Sequence, residues 1–213
     1  MKLHQIIIAV TLSVFPLAAY GNNLEPTKIN GSSSTAAKTN FDWSGLYVGV
    51  NGGYSYGYFK DEEYGGWYGN SVSGYSYGGQ IGYNFGLGQS KTILGIEAEY
   101  DKDTVSGANK NWSITYHKKS STSLMGRLGL GLDSYMPYAI AGFSSGSLSY
   151  DTESTVDYPG WTAGLGTEIA LTNNLVGRVE YRYSDFGSTW HLGGYTVHIF
   201  DSTVRFGLNY YFH

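Results

Sequence analysis

Apolar and polar residues alternate with a period of two over most of the chain from Phe41 onward, and the last stretch shows it most cleanly. Between Ser202 and Phe212, Val204, Phe206, Leu208, Tyr210 and Phe212 fall on one face of a strand, and Thr203, Arg205, Gly207, Asn209 and Tyr211 on the other. An apolar face ending in aromatics, backed by a face carrying Arg, suits a strand with lipid on one side and a polar lumen on the other. The same alternation predicts seven earlier strands: Gly45–Tyr58, Ser73–Phe85, Thr92–Lys102, Ser120–Leu132, Tyr138–Leu148, Gly160–Leu171 and Leu175–Phe186. The fifth has poor alternation and an uncertain register. The connections alternate in length: Gly86–Lys91, Asp133–Met136 and Thr172–Asn174 are short, while 59–72, 103–119, 149–159 and 187–201 are long. These features predict an all-β fold, an eight-stranded antiparallel up-and-down transmembrane β-barrel with extracellular loops and periplasmic termini. Its aromatics sort into two belts. Tyr54, Tyr56, Tyr75, Tyr77, Tyr100, Trp161, Tyr181 and Tyr183 are expected at the outer rim, and Trp43, Tyr83, Phe85, Tyr138, Tyr210 and Phe212 at the inner rim.

The N-terminus changes the picture by adding an address. Lys2 and His4 precede an apolar run, Ile6 to Ala19, that ends in small residues, so residues 1–21 read as a secretory signal peptide rather than a spanning helix. Residues 22–40 are polar and Ser-rich, without periodicity, and read as a flexible periplasmic lead-in; the barrel is expected over 41–213. A mean hydropathy of -0.24 is compatible with a barrel, because half of each strand is polar, and 31 Gly and 21 Tyr fit small lumenal positions and aromatic girdles. No cysteine is present, which excludes disulfides, thiolate metal sites and lipid attachment at an N-terminal Cys. Cleavage after Gly21 removes Lys2 and leaves 12 basic against 17 acidic side chains, a balance that gives no support to nucleic-acid binding.

Charge is concentrated on the inward face. Glu97, Glu99, Glu168 and Glu180 are acidic there, and Arg127, Arg178, Arg182 and Arg205 are basic, four against four. An eight-stranded barrel has an interior only just filled by side chains. Charges inside it must therefore be paired and hydrogen-bonded. The expectation is a closed plug of Arg–Glu pairs, preferred over a gated or ion-selective pore.

The remaining chemistry lies toward the long connections. His117, His191 and His198 all fall in or beside them, with Trp112, Tyr116, Trp190 and Tyr195 nearby to sandwich a porphyrin, so hemin is the one cofactor that enters as an expectation. No spacing among them is a recognised ligand motif. Lipid hydrolysis would need a nucleophile and a base in reach; His117 with Ser120 or Ser121 is the only candidate, and Lys118 and Lys119 beside them suit lipopolysaccharide phosphate contact equally well. Asp61-Glu62-Glu63 reads as a solvated loop rather than a cation site. No catalytic or metal site is expected.

Phe41-Asp-Trp-Ser-Gly-Leu-Tyr-Val-Gly-Val-Asn-Gly-Gly-Tyr54 resembles the first strand of the small alphaproteobacterial outer-membrane barrels, a group that includes the major immunogenic surface proteins of Brucella and the hemin-binding proteins of Bartonella. Gly160–Asn174 is similar to that family's sixth strand and turn, Arg178–Gly187 to its seventh strand and Thr203–Tyr210 to its last, so the resemblance covers about residues 41–213. It implies an outer-membrane barrel with exposed loops, in a family whose members are described as structural envelope proteins, porin-like proteins, adhesins and hemin binders. Members usually end on an aromatic read by the assembly machinery; here Tyr210 and Phe212 would supply that signal, and His213 follows them. The expected role is structural and surface-interacting, without catalysis, with a hemin receptor as the alternative and a small pore third. Expected partners are outer-membrane lipids and lipopolysaccharide, the barrel-assembly machinery, and hemin or host surface molecules.

Overall fold

In the computed structural model eight antiparallel strands close on themselves, each pairing with its sequence neighbour and β8 returning to β1. The structure describes residues 41–213 apart from 64–65, 89, 110–113, 150–154 and 191–195. Residues 1–40, expected as signal peptide and lead-in, therefore lie outside the described residues. The strands are β1 (Gly45–Glu63), β2 (Gly66–Gly86), β3 (Thr92–Asn109), β4 (Ile114–Leu130), β5 (Tyr135–Ser149), β6 (Thr155–Ala170), β7 (Leu175–Trp190) and β8 (Thr196–Phe212).

Each strand is longer than its apolar alternation. Residues 59–72, expected as a loop, are mostly ladder: β1 and β2 stay in register from Gly45↔Asn84 to Glu63↔Gly66. The other three long connections shorten likewise, with closing pairs Asn109↔Ile114, Ser149↔Thr155 and Trp190↔Thr196. The reason is that a backbone ladder does not require an apolar face. Beyond the hydrocarbon band neither side of the wall meets lipid, so the side chains turn polar while the hydrogen bonding continues. Strands of 15 to 21 residues far exceed the ~9–11 that span a bilayer.

The outward face is the apolar one. Val50, Tyr75, Leu165 and Phe206 are all more than 60 % exposed, and this surface forms a band suited to hydrocarbon. The inward face begins, at the end with the short turns, in an apolar plug of Phe41, Trp43, Tyr47, Ile93, Met136, Val176 and Tyr211. Three expectations are corrected here. Trp43 is not on the inner-rim belt but buried in this plug, with its indole Nε1 donating to the Leu132 carbonyl at 2.7 Å. Leu132 lies in the turn beyond β4. Tyr138 points into the lumen: the register of β5 turns Met136, Tyr138 and Ile140 inward and Phe143 outward. The sequence of β5 hides this because apolar side chains fill its lumenal positions too.

Two close approaches shape the wall. The Tyr47 ring lies over its cross-strand partner Gly82, and the Tyr138 ring over Gly166. A Cβ at either glycine would collide with the ring, so only glycine lets these tyrosines lie flat along the wall and aim their hydroxyls at the lumen centre.

Candidate functional site

The lumen above the plug is a continuous polar network. At its base Glu168 accepts three hydrogen bonds, from Tyr211 Oη, Asn209 Nδ2 and Arg127 Nη2, each at 2.8 Å. Asn84 ties this layer to the plug by donating to the Trp43 carbonyl and to Tyr211 Oη, both at 3.0 Å. Gln80 donates to Asn209 at 2.7 Å and accepts from Asn51 at 2.8 Å.

The middle of the lumen holds alternating charges. Arg178 grips Glu97 through both terminal nitrogens at 2.9 Å, a bidentate fork that fixes geometry as well as charge, and also donates to Glu180. Tyr47 Oη donates to Glu97 and accepts from Arg127, both at 2.6 Å. Tyr138 Oη donates to Glu180 at 2.8 Å, while the Arg127 guanidinium stands 4.2 Å from the Tyr138 ring centroid. Arg182 Nε donates to Glu180 at 2.8 Å and Nη1 to Glu99 at 2.6 Å. Arg205 closes the layer with Glu99 at 2.9 Å, Asp101 at 2.7 Å, and a bond to Asn51. All eight charged residues singled out from the sequence thus line one lumen, each at most 6 % exposed.

A third layer lay beyond the sequence reading. Lys118 Nζ donates to Asp201 at 2.9 Å, lies 3.6 Å from Asp103, and sits over the Phe186 ring at 4.9 Å. Ser121 donates to Asp103 at 2.9 Å. Between this layer and the arginines is a polar void of about 10 Å³ lined by Ser76, Ser123, Ser144, Ser184 and Asp101, among others, with room for roughly one water. Ser76 Oγ and one oxygen of Asp101 are buried there without a protein partner. Among the described residues the inward charges are seven acids against five bases, not four against four.

The missed residues had signals. Glu97, Glu99, Asp101 and Asp103 form one unbroken period-two run, so ending β3 at Lys102 cut off its last member. Lys118 could not be placed by parity. A bulge between Lys118 and Ser120 shifts the register, turning Lys118 inward and leaving Lys119 exposed. Lys118 is therefore not placed for the lipopolysaccharide contact expected of both lysines, while Lys119 is exposed.

The histidines do not form a described cluster. His117 belongs to β4, paired with Ser106 and Ser149, and His198 to β8, paired with Lys60 and Ser188; these strands lie on opposite sides of the closed wall. His191, Trp112 and Tyr195 fall outside the described residues. Ser121 points inward with its hydroxyl committed to Asp103, so it does not face lipid. Tyr210 and Phe212 are 47 % and 51 % exposed on the outer face. His213 stacks on Tyr211 at 5.9 Å and meets Phe41 edge-on at 5.4 Å.

Chemically this is a lock. Buried ions are costly to desolvate and are held only by near-complete pairing, and the charges here fill the bore rather than line it.

Comparison with known proteins agrees with this architecture. The 25 kDa outer-membrane immunogenic protein of Brucella abortus is 27% identical over 220 residues, covering 97% of each chain. The 31 kDa outer-membrane immunogenic protein of Brucella melitensis is 27% identical over 240 residues, covering 97% of this chain and 99% of the relative. The 22 kDa outer membrane protein of Rhizobium leguminosarum bv. viciae is 32% identical over 154 residues, 68% of this chain and 65% of the relative. Among solved structures, Neisserial surface protein A superposes with a TM-score of 0.53 at 19% identity, covering 79% of this chain and 98% of that one, a likeness of fold alone. The model of the outer membrane protein beta-barrel domain matches residues 30–212, and the chain belongs to that family of outer-membrane proteins.

Proposed function

We propose that this protein is a non-conducting, non-catalytic structural barrel of the outer membrane that presents four β-hairpins at the cell surface and keeps both termini in the periplasm. The observation that carries the reading is the filled bore: an apolar plug below, four arginines paired with glutamates in the middle, and Lys118 paired with Asp201 above. Orientation is supported by the even strand number and by short turns on the end that holds both termini. Absence of catalysis is supported by lumenal hydroxyls committed to acids or to each other, as Ser121 is to Asp103 and Ser123 to Ser144, although Ser76 is not among them. The surface role rests on hairpins held in register close to their tips, which present a fixed shape to partners.

The test is conductance of the purified barrel in a planar bilayer. A flat baseline is expected, and large, stable, reproducible current steps would overturn the reading. Thiol labelling of intact cells, with a single Cys placed at Ser147 or at Ser90, checks orientation: label should reach the hairpin position and not the turn.

A further inference from the structure

The described cations are distributed unevenly. Lys118, Arg127, Arg178, Arg182 and Arg205 all enter lumenal ion pairs, and Lys91 sits beside the β2–β3 turn. Of the remaining strand cations whose side chains are described, Lys102 lies on β3 and Lys119 on β4. Both are exposed, on adjoining strands, and neither has an ion pair among the described residues. Lys102 pairs across the ladder with Ser120, so Lys119 is its close neighbour, carried there by the bulge that sends Lys118 inward. Two like charges carried on adjoining positions of β3 and β4 repel one another, and an anion between them would relieve that repulsion.

Their depth is informative. The outward residues of β3 run Leu94, Ile96, Ala98, Tyr100 and then Lys102. From Thr92 to Lys102 the chain climbs ten residues at about 3.3 Å each; with a tilt of ~40° that is about 25 Å, the height of the apolar band of such barrels. Lys102 therefore stands where hydrocarbon gives way to head groups. Beside it stands Tyr77, its cross-strand partner on β2, and one outward position below it on β3 is Tyr100, both more than half exposed and able to support acyl chains. The opposite flank has the other sign, with Asp157 exposed on β6 and Asp185 half-exposed on β7.

We propose that the β2–β4 flank is a lipopolysaccharide site, in which Lys102 and Lys119 clamp an anionic phosphate or carboxylate of the lipid A end while its acyl chains lie over Tyr77 and Tyr100. Lipopolysaccharide fits better than a glycerophospholipid because it occupies the outer leaflet, on the end where both lysines stand. This rests on the orientation proposed above. The two fail separately, since binding is measured on purified protein and orientation on cells.

The test is titration of the detergent-folded barrel with purified lipopolysaccharide at physiological salt, comparing wild type, Lys102→Ala/Lys119→Ala, Lys102→Arg/Lys119→Arg and Lys91→Ala. Both clamp lysines are exposed, so heat-modifiable gel mobility should show every variant folded. The double Ala variant should lose affinity by roughly tenfold or more, the double Arg variant should restore it, and Lys91→Ala should match wild type. Undiminished binding by the double Ala variant, or an equal loss with Lys91→Ala, would overturn the site. Equal, lysine-dependent binding of phosphatidylglycerol vesicles would overturn its assignment to lipopolysaccharide.

Discussion

Replacing Glu168 by Gln tests the lock at its most constrained point. The side chain is fully buried, and all three of its neighbours are donors: Arg127 and Asn209 to one oxygen, Tyr211 to the other. A Gln amide must put an NH2 group where one oxygen was. On the Tyr211 side it meets a hydroxyl that already accepts from Asn84; on the other side it meets a guanidinium and an amide nitrogen. With the amide nitrogen toward Tyr211 that hydroxyl must accept a second bond while its own proton loses the carboxylate it had, and with the nitrogen on the other side it faces two donors. Arg127 also loses its nearest countercharge and keeps the Tyr47 hydroxyl, the Tyr138 ring face and Glu97 at 3.6 Å. Hydrogen bonds to a buried charge are each worth about 1.5–3 kcal/mol, and breaking a buried pair from one side costs about 3–5. Since Arg127 retains partial compensation, the expected loss is about 3 kcal/mol. The assay is urea unfolding of the barrel in lipid vesicles, followed by fluorescence of Trp43, which is buried in the plug beside this layer. The midpoint should fall with an unchanged slope. Tyr211→Phe, which removes a single hydroxyl, should cost about 1 kcal/mol. A loss below about 1 kcal/mol for Glu168→Gln would refute the claim that these donors depend on a buried carboxylate.

Other expectations follow from the same geometry. Gly166→Ala should destabilise by about 1–3 kcal/mol by pushing Tyr138 off the wall, whereas Gly126→Ala, whose added methyl has no atom nearer than 3.9 Å, should be close to neutral in the same unfolding assay. Lys118→Met should leave conductance at baseline, because the arginine layer beneath still fills the bore; current steps in this variant alone would make Lys118 the closure. Deleting His213 should leave folded yield unchanged on a heat-modifiable gel, since Tyr210 and Phe212 already face outward. Asp42 accepts from the Ser44 hydroxyl at 2.6 Å and amide at 3.0 Å, which holds its carboxyl below the ordinary value. Its contribution is present above about pH 4 and fades as pH falls through the lowered value. Asp42 is exposed, so Asp42→Asn should shift stability at neutral pH by less than about 0.5 kcal/mol.

The faces of the wall were legible wherever one side met lipid. From Leu94 to Tyr100 the outward set is apolar and the inward set small or charged, and simple parity places Glu97, Arg127 and Arg205 in the bore. Legibility stopped where that contrast stopped. The hairpin extensions carry polar side chains on ordinary ladders, so Phe59–Glu63 reads as loop although it is strand. Tyr138 misled because a tyrosine suits a lipid rim and a polar lumen equally; only the register of β5, set by its neighbours, decides between them. The inward turn of Lys118 depends on one bulge, a backbone event without a side-chain signature. The tyrosine and amide ligands of Glu168 were at lumenal positions all along, but their convergence on one carboxylate is a property of the closed ring rather than of any strand.

That dependence on closure bears on how the protein is made. Arg178 and Glu97 are 81 residues apart, Arg205 and Asp101 104, and Arg205 and Asn51 154; in the middle layer only Glu180 has arginine partners on its own strand. A nascent sheet entering the bilayer one hairpin at a time would bring β3 with its acids long before β7 with its bases. Until then Glu97 would have as countercharge only Arg127 of the adjoining β4 and Asp103 only Lys118, while Glu99 and Asp101 would wait for Arg182 and Arg205 on β7 and β8. So much non-local pairing slows folding in any setting. Here it also makes a half-inserted sheet costly, because Glu99 and Asp101 of β3 would need a wet shelter until β7 and β8 bring their arginines.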